Sequence, residues 1–340
     1  MTKKFCVFLI LSVITLLSCD NQEDSIIEPP VIAEQEPNNP EKTDNPNEWI
    51  TAEGGVFKYK INDINMIVGT NDWNGVCRGT NVSTPLKAKY IACGNQGYIA
   101  VSDNGTNWTA TKLSVVNANL NGIAYGNSVF VAVGQTGRVA TSTNGGTTWT
   151  SQQLSPYCDW YQVRYINNLF IAVGGQNGYV TTSSDGINWS NPIQISNIST
   201  LNLYDITYND IGKYVAVGGN YITQSANLVD WTTPVVVGTS RSWNSVAANT
   251  QKYIAGDTND GYITTSTDGI NWSNPITVGY PYPKWYDILY YGGQFIMIGN
   301  RPALATSTDG VNWTTYDRLT DESGNDVTEQ FNATCILIDL

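Results

Sequence analysis

Two aspartates are the strongest candidates for acid–base chemistry in this chain. Asp205 and Asp287 lie at matching places in two similar runs, LYDITYN at 203–209 and WYDILYY at 285–291. If the two runs are equivalent strands around a central channel, both carboxylates could face that channel together. The simpler interpretation is that they are solvated residues of the channel wall or caps of turns. The chain has no histidine, and no glutamate lies between residues 54 and 321. A histidine-based triad is therefore excluded, and the missing glutamates count against the carboxylate pair of a glycosidase. We predict a protein that is not an enzyme.

Aromatic residues recur where these runs begin, and they predict a binding surface. Flat rings stack on sugars or on a protein loop, and phenol groups add hydrogen bonds. The expected ligand-binding residues are Trp160, Tyr161, Tyr204, Trp243, Trp285 and Tyr286. The alternative is that the large residues pack inside the fold, since Leu120 and Leu203 occupy the same position as the tryptophans. The expected partner is an unidentified glycan or protein, and no cofactor or metal is expected.

A turn of the type Ser-x-Asp-Gly-x-x-Trp is repeated along the chain and predicts a structural element. Its tryptophan recurs every 40 to 42 residues, at positions 108, 149, 189, 231, 272 and 313. Ser, Asp and Asn side chains hydrogen-bond to backbone amides in turns, and Gly tolerates positive φ. In the three copies with Asp, the predicted structural residues are Ser183, Asp185, Trp189, Ser266, Asp268, Trp272, Ser307, Asp309 and Trp313.

Each repeat contains four short runs rich in Val, Ile, Thr and aromatic residues, separated by Gly- and Asn-rich turns. Such runs predict β-strands, and four strands in about 41 residues are typical of a propeller blade. We therefore predict an all-β propeller of four-stranded blades over residues 54–340. Six units are complete, and leftover strands at both ends predict a seventh, split closing blade that hides two sheet edges. Six blades are the alternative.

The repeated turn, for example STDGVNW at 307–313, resembles the Asp box of sialidase-type BNR repeats. Five of the six copies are one residue shorter than that pattern, and positions 104, 144 and 227 carry Asn. The resemblance implies a propeller in which the turn joins the third and fourth strands, away from the active site. It also implies a sialidase-type glycoside hydrolase as an alternative function. The repeats are similar to the propellers of photosystem II stability and assembly factors as well, which implies a scaffold role.

The N-terminus predicts export. Residues 1–18 have two lysines before an apolar run, as a secretory signal peptide does, and LLSC at 16–19 resembles a lipoprotein lipobox with Cys19 as the lipidated residue. Residues 19–53 are rich in Pro, Asn and Glu and predict a disordered tether. The acidic residues after Cys19 resemble the surface-export signal of Bacteroidetes lipoproteins. That resemblance implies an outer-membrane lipoprotein exposed on the cell surface.

The charge of the chain is divided unevenly. The formal net charge is −12, but residues 54–318 carry equal numbers of acidic and basic side chains. The acidity therefore lies in the tether and the C-terminal tail. Without a basic surface there is no signal for nucleic-acid binding, and we expect a monomer held at the membrane by its lipid.

Overall fold

The computed structural model describes residues 72–316, except 82–83, 106, 210–211, 280–281 and 301–302, and four strand segments outside that range. Those segments are 5–12, 50–51, 58–63 and 331–337. The described chain consists of β-strands joined by turns and loops, and its only described helices are two short 3-10 helices at Asn95–Gly97 and Gln135–Gly137. In the described part no helix has the length and apolar character needed to cross a membrane.

Six sheets are each built from four consecutive antiparallel strands, and each sheet is one blade. Blade 1 contains β4 (Trp73–Asn81), β5 (Thr84–Gly94), β6 (Tyr98–Ser102) and β7 (Thr109–Lys112). Blade 2 contains β8 (Leu120–Gly126), β9 (Val129–Gly134), β10 (Arg138–Ser142) and β11 (Thr150–Gln153). Blade 3 contains β12 (Trp160–Ile166), β13 (Leu169–Gly174), β14 (Tyr179–Ser183) and β15 (Ile193–Gln194).

The other three blades repeat this order. Blade 4 contains β16 (Asp205–Asn209), β17 (Lys213–Gly218), β18 (Tyr221–Ser225) and β19 (Val235–Val236). Blade 5 contains β20 (Trp243–Ala248), β21 (Tyr253–Asp257), β22 (Tyr262–Ser266) and β23 (Ile276–Thr277). Blade 6 contains β24 (Trp285–Tyr291), β25 (Gln294–Gly299), β26 (Leu304–Ser307) and β27 (Thr314–Tyr316). The predicted all-β propeller of four-stranded blades is confirmed.

A further sheet joins the two ends of the chain. It contains β1 (Phe5–Ser12), β2 (Ile50–Thr51), β3 (Lys58–Asp63) and β28 (Phe331–Leu337), in the order β2-β3-β1-β28. Strand β28 contacts β24 of blade 6 and β4 of blade 1, so the first strands of successive sheets follow one another around the channel. They are neighbours in space and belong to separate sheets.

Two strands of this closing sheet were not predicted, β1 and β2, and β2 (Ile50–Thr51) lies in the segment assigned to the disordered tether. Phe5–Ser12 pairs in parallel with β28 and antiparallel with β3, whereas the sequence assigned residues 1–18 to a signal peptide. Cleavage before Cys19 would remove this strand from the sheet. The boundaries 1–18, 19–53 and 54–340 remain predictions.

The core lies between the blades. The second strands are buried on both faces, and every residue of β9 and β21 is buried. Between blades 2 and 3, Val131 and Val133 pack in one cluster with Trp160 and Phe170. Apolar surface of this kind gains about 25 cal/mol for each Å² removed from water. Packing of these apolar side chains therefore holds neighbouring blades against each other.

Candidate functional site

A β-bulge at the start of the first strand positions the channel mouth. In five of the six blades the pairing register of the first strand shifts near its start. The shift lies between the opening residue, which is the first residue of that strand, and the residue two places later. These steps are Trp73/Gly75, Leu120/Gly122, Trp160/Gln162, Trp243/Ser245 and Trp285/Asp287. A bulge inserts one unpaired residue and re-aims the side chains around it. The opening residue therefore packs into the core, while the next residue faces the channel.

The predicted tryptophans are buried, which corrects part of the binding-site prediction. Trp160 and Trp243 are 0% exposed and Trp285 is 1% exposed. The indole of Trp243 donates to the carbonyl of Val237 at 3.0 Å, and that of Trp285 donates to the carbonyl of Gly261 at 3.3 Å. Their rings fill the space between blades and cannot stack on a ligand. The packing alternative stated above accounts for these three residues.

The predicted tyrosines line a cavity at the channel mouth. It has a volume of about 470 Å³ and receives one residue from the position after the opening residue of each of the six blades. Those residues are Asn74, Asn121, Tyr161, Tyr204, Asn244 and Tyr286. The remaining wall and floor are formed by Gln162, Asp205, Ser245, Thr258, Asn259, Lys284 and Asp287. Three of the six predicted ligand-binding residues therefore face a cavity of ligand size.

Asparagines at the mouth connect neighbouring blades. The side-chain amide of Asn74 donates to the carbonyl of Leu120 at 2.9 Å, and that of Asn121 donates to the carbonyl of Trp160 at 2.9 Å. Asn244 donates to the carbonyl of Tyr286 at 3.0 Å. Each asparagine thus holds the opening of the next blade, and the mouth has a fixed shape.

The tyrosines form the aromatic part of the wall. The rings of Tyr161 and Tyr204 meet edge to face with centroids 5.0 Å apart. Burial, followed by the neighbouring Tyr204, raises the pKa of the Tyr161 phenol, and burial alone raises the pKa of Tyr286. Both phenols therefore stay protonated at neutral pH and can donate hydrogen bonds.

An ionic network lies at the floor of the cavity. Arg164 of blade 3 makes a bidentate pair with Asp205 of blade 4, with Nε–Oδ1 and Nη2–Oδ2 distances of 2.9 Å. Its Nη2 also lies 3.4 Å from Oδ1 of Asp287 in blade 6. Ser245 of blade 5 lies between the two carboxylates, with its hydroxyl 3.2 Å from each. Four consecutive blades are therefore joined by one buried group of polar side chains.

Asp205 is saturated by this network. Besides Arg164 and Ser245, it accepts backbone N–H groups of Ile206 at 2.9 Å and Val246 at 3.0 Å. Burial opposes the charge of Arg164, but the two carboxylates outweigh it and raise the pKa of the guanidinium. The sequence predicts that Asp205 and Asp287 could face one channel, but no motif indicates Arg164, which lies 41 residues from Asp205 and 123 residues from Asp287 in the chain. Both aspartates are buried, not solvated.

The repeated turn has the geometry of a structural clasp. In the Asp268 copy, the Ser266 hydroxyl accepts the N–H of Gly269 at 2.8 Å, and one carboxylate oxygen accepts the N–H groups of Ile270 and Asn271 at 2.8 Å. The Asp185 and Asp309 copies repeat these bonds with Ser183 and Ser307. Backbone amides, chiefly that of Asn271, lower the pKa of Asp268 to about 2.

The turn also connects blades and lies outside the cavity. The Thr141 hydroxyl of blade 2 donates to the carbonyl of Gly186 in blade 3 at 2.7 Å. A Cβ atom at Gly186 would lie 2.6 Å from a methyl group of Val131, and its φ of +71° is in the region that favours glycine. Trp189, Trp272 and Trp313 are partly buried beneath these turns. A structural role of the repeated turn fits all of these contacts.

The described residues contain no group of three or more His, Cys, Asp or Glu side chains that could hold a metal ion. Cys19 lies outside the described residues, so lipidation is not addressed by the structure.

Comparisons with known proteins place the chain among β-propellers. A structure titled "YCF48 bound to D1 peptide" has 17% identity and a TM-score of 0.54, over 72% of this chain and 81% of that chain. Virginiamycin B lyase from Staphylococcus aureus has 12% identity and a TM-score of 0.61, over 78% and 88%. The WD40 propeller of Doa1 has 11% identity and a TM-score of 0.55, over 74% and 84%. No family model and no curated protein matches the chain. At these identities the likeness extends to the propeller fold.

Proposed function

We propose that this protein is a non-catalytic binding propeller whose channel-mouth cavity holds a glycan or a segment of a protein partner. The observation that carries the proposal is the cavity itself, to which each of six blades contributes an Asn or Tyr from the same strand position. Cavities with a few convergent polar groups and aromatic walls are the usual ligand sites of proteins. Phenol, amide and hydroxyl groups suit recognition by hydrogen bonding and ring contact.

The polar groups of the cavity favour binding over catalysis. A general acid–base pair needs one group that can release a proton and another that can accept it near neutral pH. Here Asp205 is held by Arg164 and two backbone amides, and Asp287 is tied to the same guanidinium and to Ser245. No arginine lines the cavity among the described residues, so the sialidase-type alternative gains no support.

A protein partner is the alternative to a glycan within the same proposal. The similarity to a YCF48 propeller with a bound D1 peptide supports the idea that a propeller of this shape can hold a peptide. A scaffold role of the assembly-factor kind belongs to this alternative. The surface-lipoprotein features of the N-terminus support a site that faces outward from the outer membrane, where glycans and other surface proteins are accessible.

Binding can be tested on a glycan array and by pull-down from intact cells, with the purified protein and two cavity variants. Tyr161→Ala and Tyr286→Ala should each weaken binding at least about tenfold, because aromatic anchors often carry more than 1.4 kcal/mol of binding energy. Tyr179→Ala is the control, since Tyr179 is a partly buried tyrosine on the third strand of blade 3, outside the cavity.

Folding of all three variants is verified by circular dichroism. Equal affinity of the cavity variants and wild type for the captured ligand would place the site elsewhere. Hydrolysis of a fluorogenic glycoside well above the blank would replace the binding proposal with a catalytic one.

A further inference from the structure

We infer that the channel-mouth cavity selects an uncharged, hydroxyl-rich ligand, a neutral oligosaccharide, and that the network around Arg164 sets this selectivity. This inference rests on the proposed function and names the ligand class of the same site. It follows from the charges at the cavity and from the hydrogen-bonding groups that remain available there.

The charges of the residues that line the cavity, together with Arg164, sum to zero. Asp205 and Asp287 contribute two negative charges at the floor, and Arg164 beneath them contributes one positive charge. The exposed Lys284 at the rim contributes the second positive charge. A ligand with a net charge would therefore lose hydration without meeting a net opposite charge at the site, and burial of such a charge is costly.

The floor carboxylates already have partners within the protein. Oδ1 of Asp205 accepts Nε–H of Arg164 and the backbone N–H of Ile206. Oδ2 accepts Nη2–H of Arg164 and the backbone N–H of Val246. Oδ1 of Asp287 lies within 3.4 Å of Arg164 and 3.2 Å of the Ser245 hydroxyl. A cationic ligand would compete with a guanidinium that is already in place.

Three of the groups left for a ligand are amide oxygens, which are acceptors. Asn74, Asn121 and Asn244 use their amide nitrogens on neighbouring blades, and their Oδ1 atoms have no hydrogen-bond partner within the described chain. Carbonyl oxygens accept sugar hydroxyl hydrogens and repel carboxylate or sulfate oxygens. An acidic saccharide is therefore disfavoured at the same positions where a neutral one gains hydrogen bonds.

The tyrosines supply the complementary groups. The phenol hydroxyls of Tyr161, Tyr204 and Tyr286 make no side-chain hydrogen bond to any described residue, and each can donate to or accept from a sugar hydroxyl. The edge-to-face pair of Tyr161 and Tyr204 adds an apolar surface for the C–H face of a pyranose ring. Acceptors, dual-purpose hydroxyls and an aromatic wall together match a ring that carries many hydroxyl groups.

The selectivity is tested with pairs of related saccharides in which one member is neutral and the other is charged. Lactose and 3′-sialyllactose form a neutral and acidic pair, and N-acetylglucosamine oligomers and glucosamine oligomers form a neutral and cationic pair. These pairs accompany a glycan array that covers neutral, sialylated, sulfated and uronic glycans. The neutral members should be preferred, and their affinity should change less than about twofold between about 50 mM and about 500 mM sodium chloride, because salt screens charged contacts only.

The network is tested with Asp287→Asn, which keeps the shape and removes one negative charge. This variant should raise affinity for acidic glycans relative to their neutral counterparts by at least about threefold, as expected for one added unit of positive charge near the ligand. Asp309→Asn is the control, since it makes the same charge change in a turn outside the cavity. It should leave the preference unchanged.

The outcomes separate this inference from the proposed function. Cavity-dependent capture of acidic or cationic glycans, or an unchanged preference in a folded Asp287→Asn variant, would overturn the neutral-ligand inference and leave the binding function standing. A protein captured through the cavity in place of any glycan would do the same. A complete absence of ligands sensitive to Tyr161→Ala or Tyr286→Ala would overturn both.

Discussion

Removal of Arg164 is the most informative perturbation of this fold. The guanidinium makes two contacts of 2.9 Å to Asp205 and one of 3.4 Å to Asp287, and these aspartates are 1% and 6% exposed. Arg164→Met would leave two buried carboxylates around Ser245 without their counter-charge. Loss of one partner of a buried ion pair costs about 3–5 kcal/mol. For a domain of this size that corresponds to a decrease in Tm of about 6–20 °C.

The assay is urea unfolding followed by tryptophan fluorescence, with a second variant that separates charge from packing. The double variant Arg164→Met/Asp205→Asn also removes the negative charge of Asp205, which Arg164→Met alone leaves unpaired. The double variant should therefore be more stable than Arg164→Met alone. Arg138→Met is the control, because Arg138 makes no ion pair in the described part of the chain. A cost below about 1 kcal/mol for Arg164→Met, or a double variant less stable than the single one, would refute the role assigned to the network.

Three further predictions concern packing, the repeated turn and the anchor. Trp160→Ala should cost about 3–5 kcal/mol of unfolding free energy, because the fully buried ring leaves a cavity between blades; a small change in urea midpoint would contradict this. Asp268→Ala should cost about 1 kcal/mol of unfolding free energy, as expected for a lost turn hydrogen bond. Asp268→Asn should cost less, because Asn104 at the same position of another copy of the turn accepts a backbone N–H at 2.8 Å. The lowered pKa means that this contribution is present above pH about 4 and is lost as pH falls through about 2, which acid unfolding of wild type and Asp268→Ala would reveal. Cys19→Ala should move the protein from the membrane to the soluble fraction, and unchanged fractionation would rule out the lipid anchor.

Most of the fold could be predicted from the sequence because each blade is a local unit. The strands of one blade are consecutive, so turns such as the one at Asp268 and short apolar runs determine the pairing within about 41 residues. The structural role of the turn could be predicted for the same reason, since its hydrogen bonds join residues two to four places apart. Phe5–Ser12 was missed because its composition is that of a signal peptide.

The candidate site could be predicted only in part because it is formed by non-local contacts. Arg164 and Asp287 are 123 residues apart, and only the curvature of the ring brings them to 3.4 Å. No sequence motif indicates that these two residues form a pair. The position of Tyr161 beside the channel could be proposed, whereas the contact of Arg164 with Asp287 depends on how three interblade angles add up.

The bulge explains why, of two adjacent residues, the tryptophan is buried in the core and the tyrosine lines the cavity. In a regular strand successive side chains alternate between two faces, so Trp160, Gln162 and Arg164 would share one face and Tyr161 would take the other. The register shift between Trp160 and Gln162 breaks this alternation, so Trp160 packs into the core while Tyr161 and Gln162 both line the cavity. Because the same shift recurs at Trp243 and Trp285, one local irregularity copied around the ring produces both the packed interior and the polar mouth. Under the proposed binding function, specificity can therefore vary through the single bulged residue, while the buried residue before it keeps the blades in place.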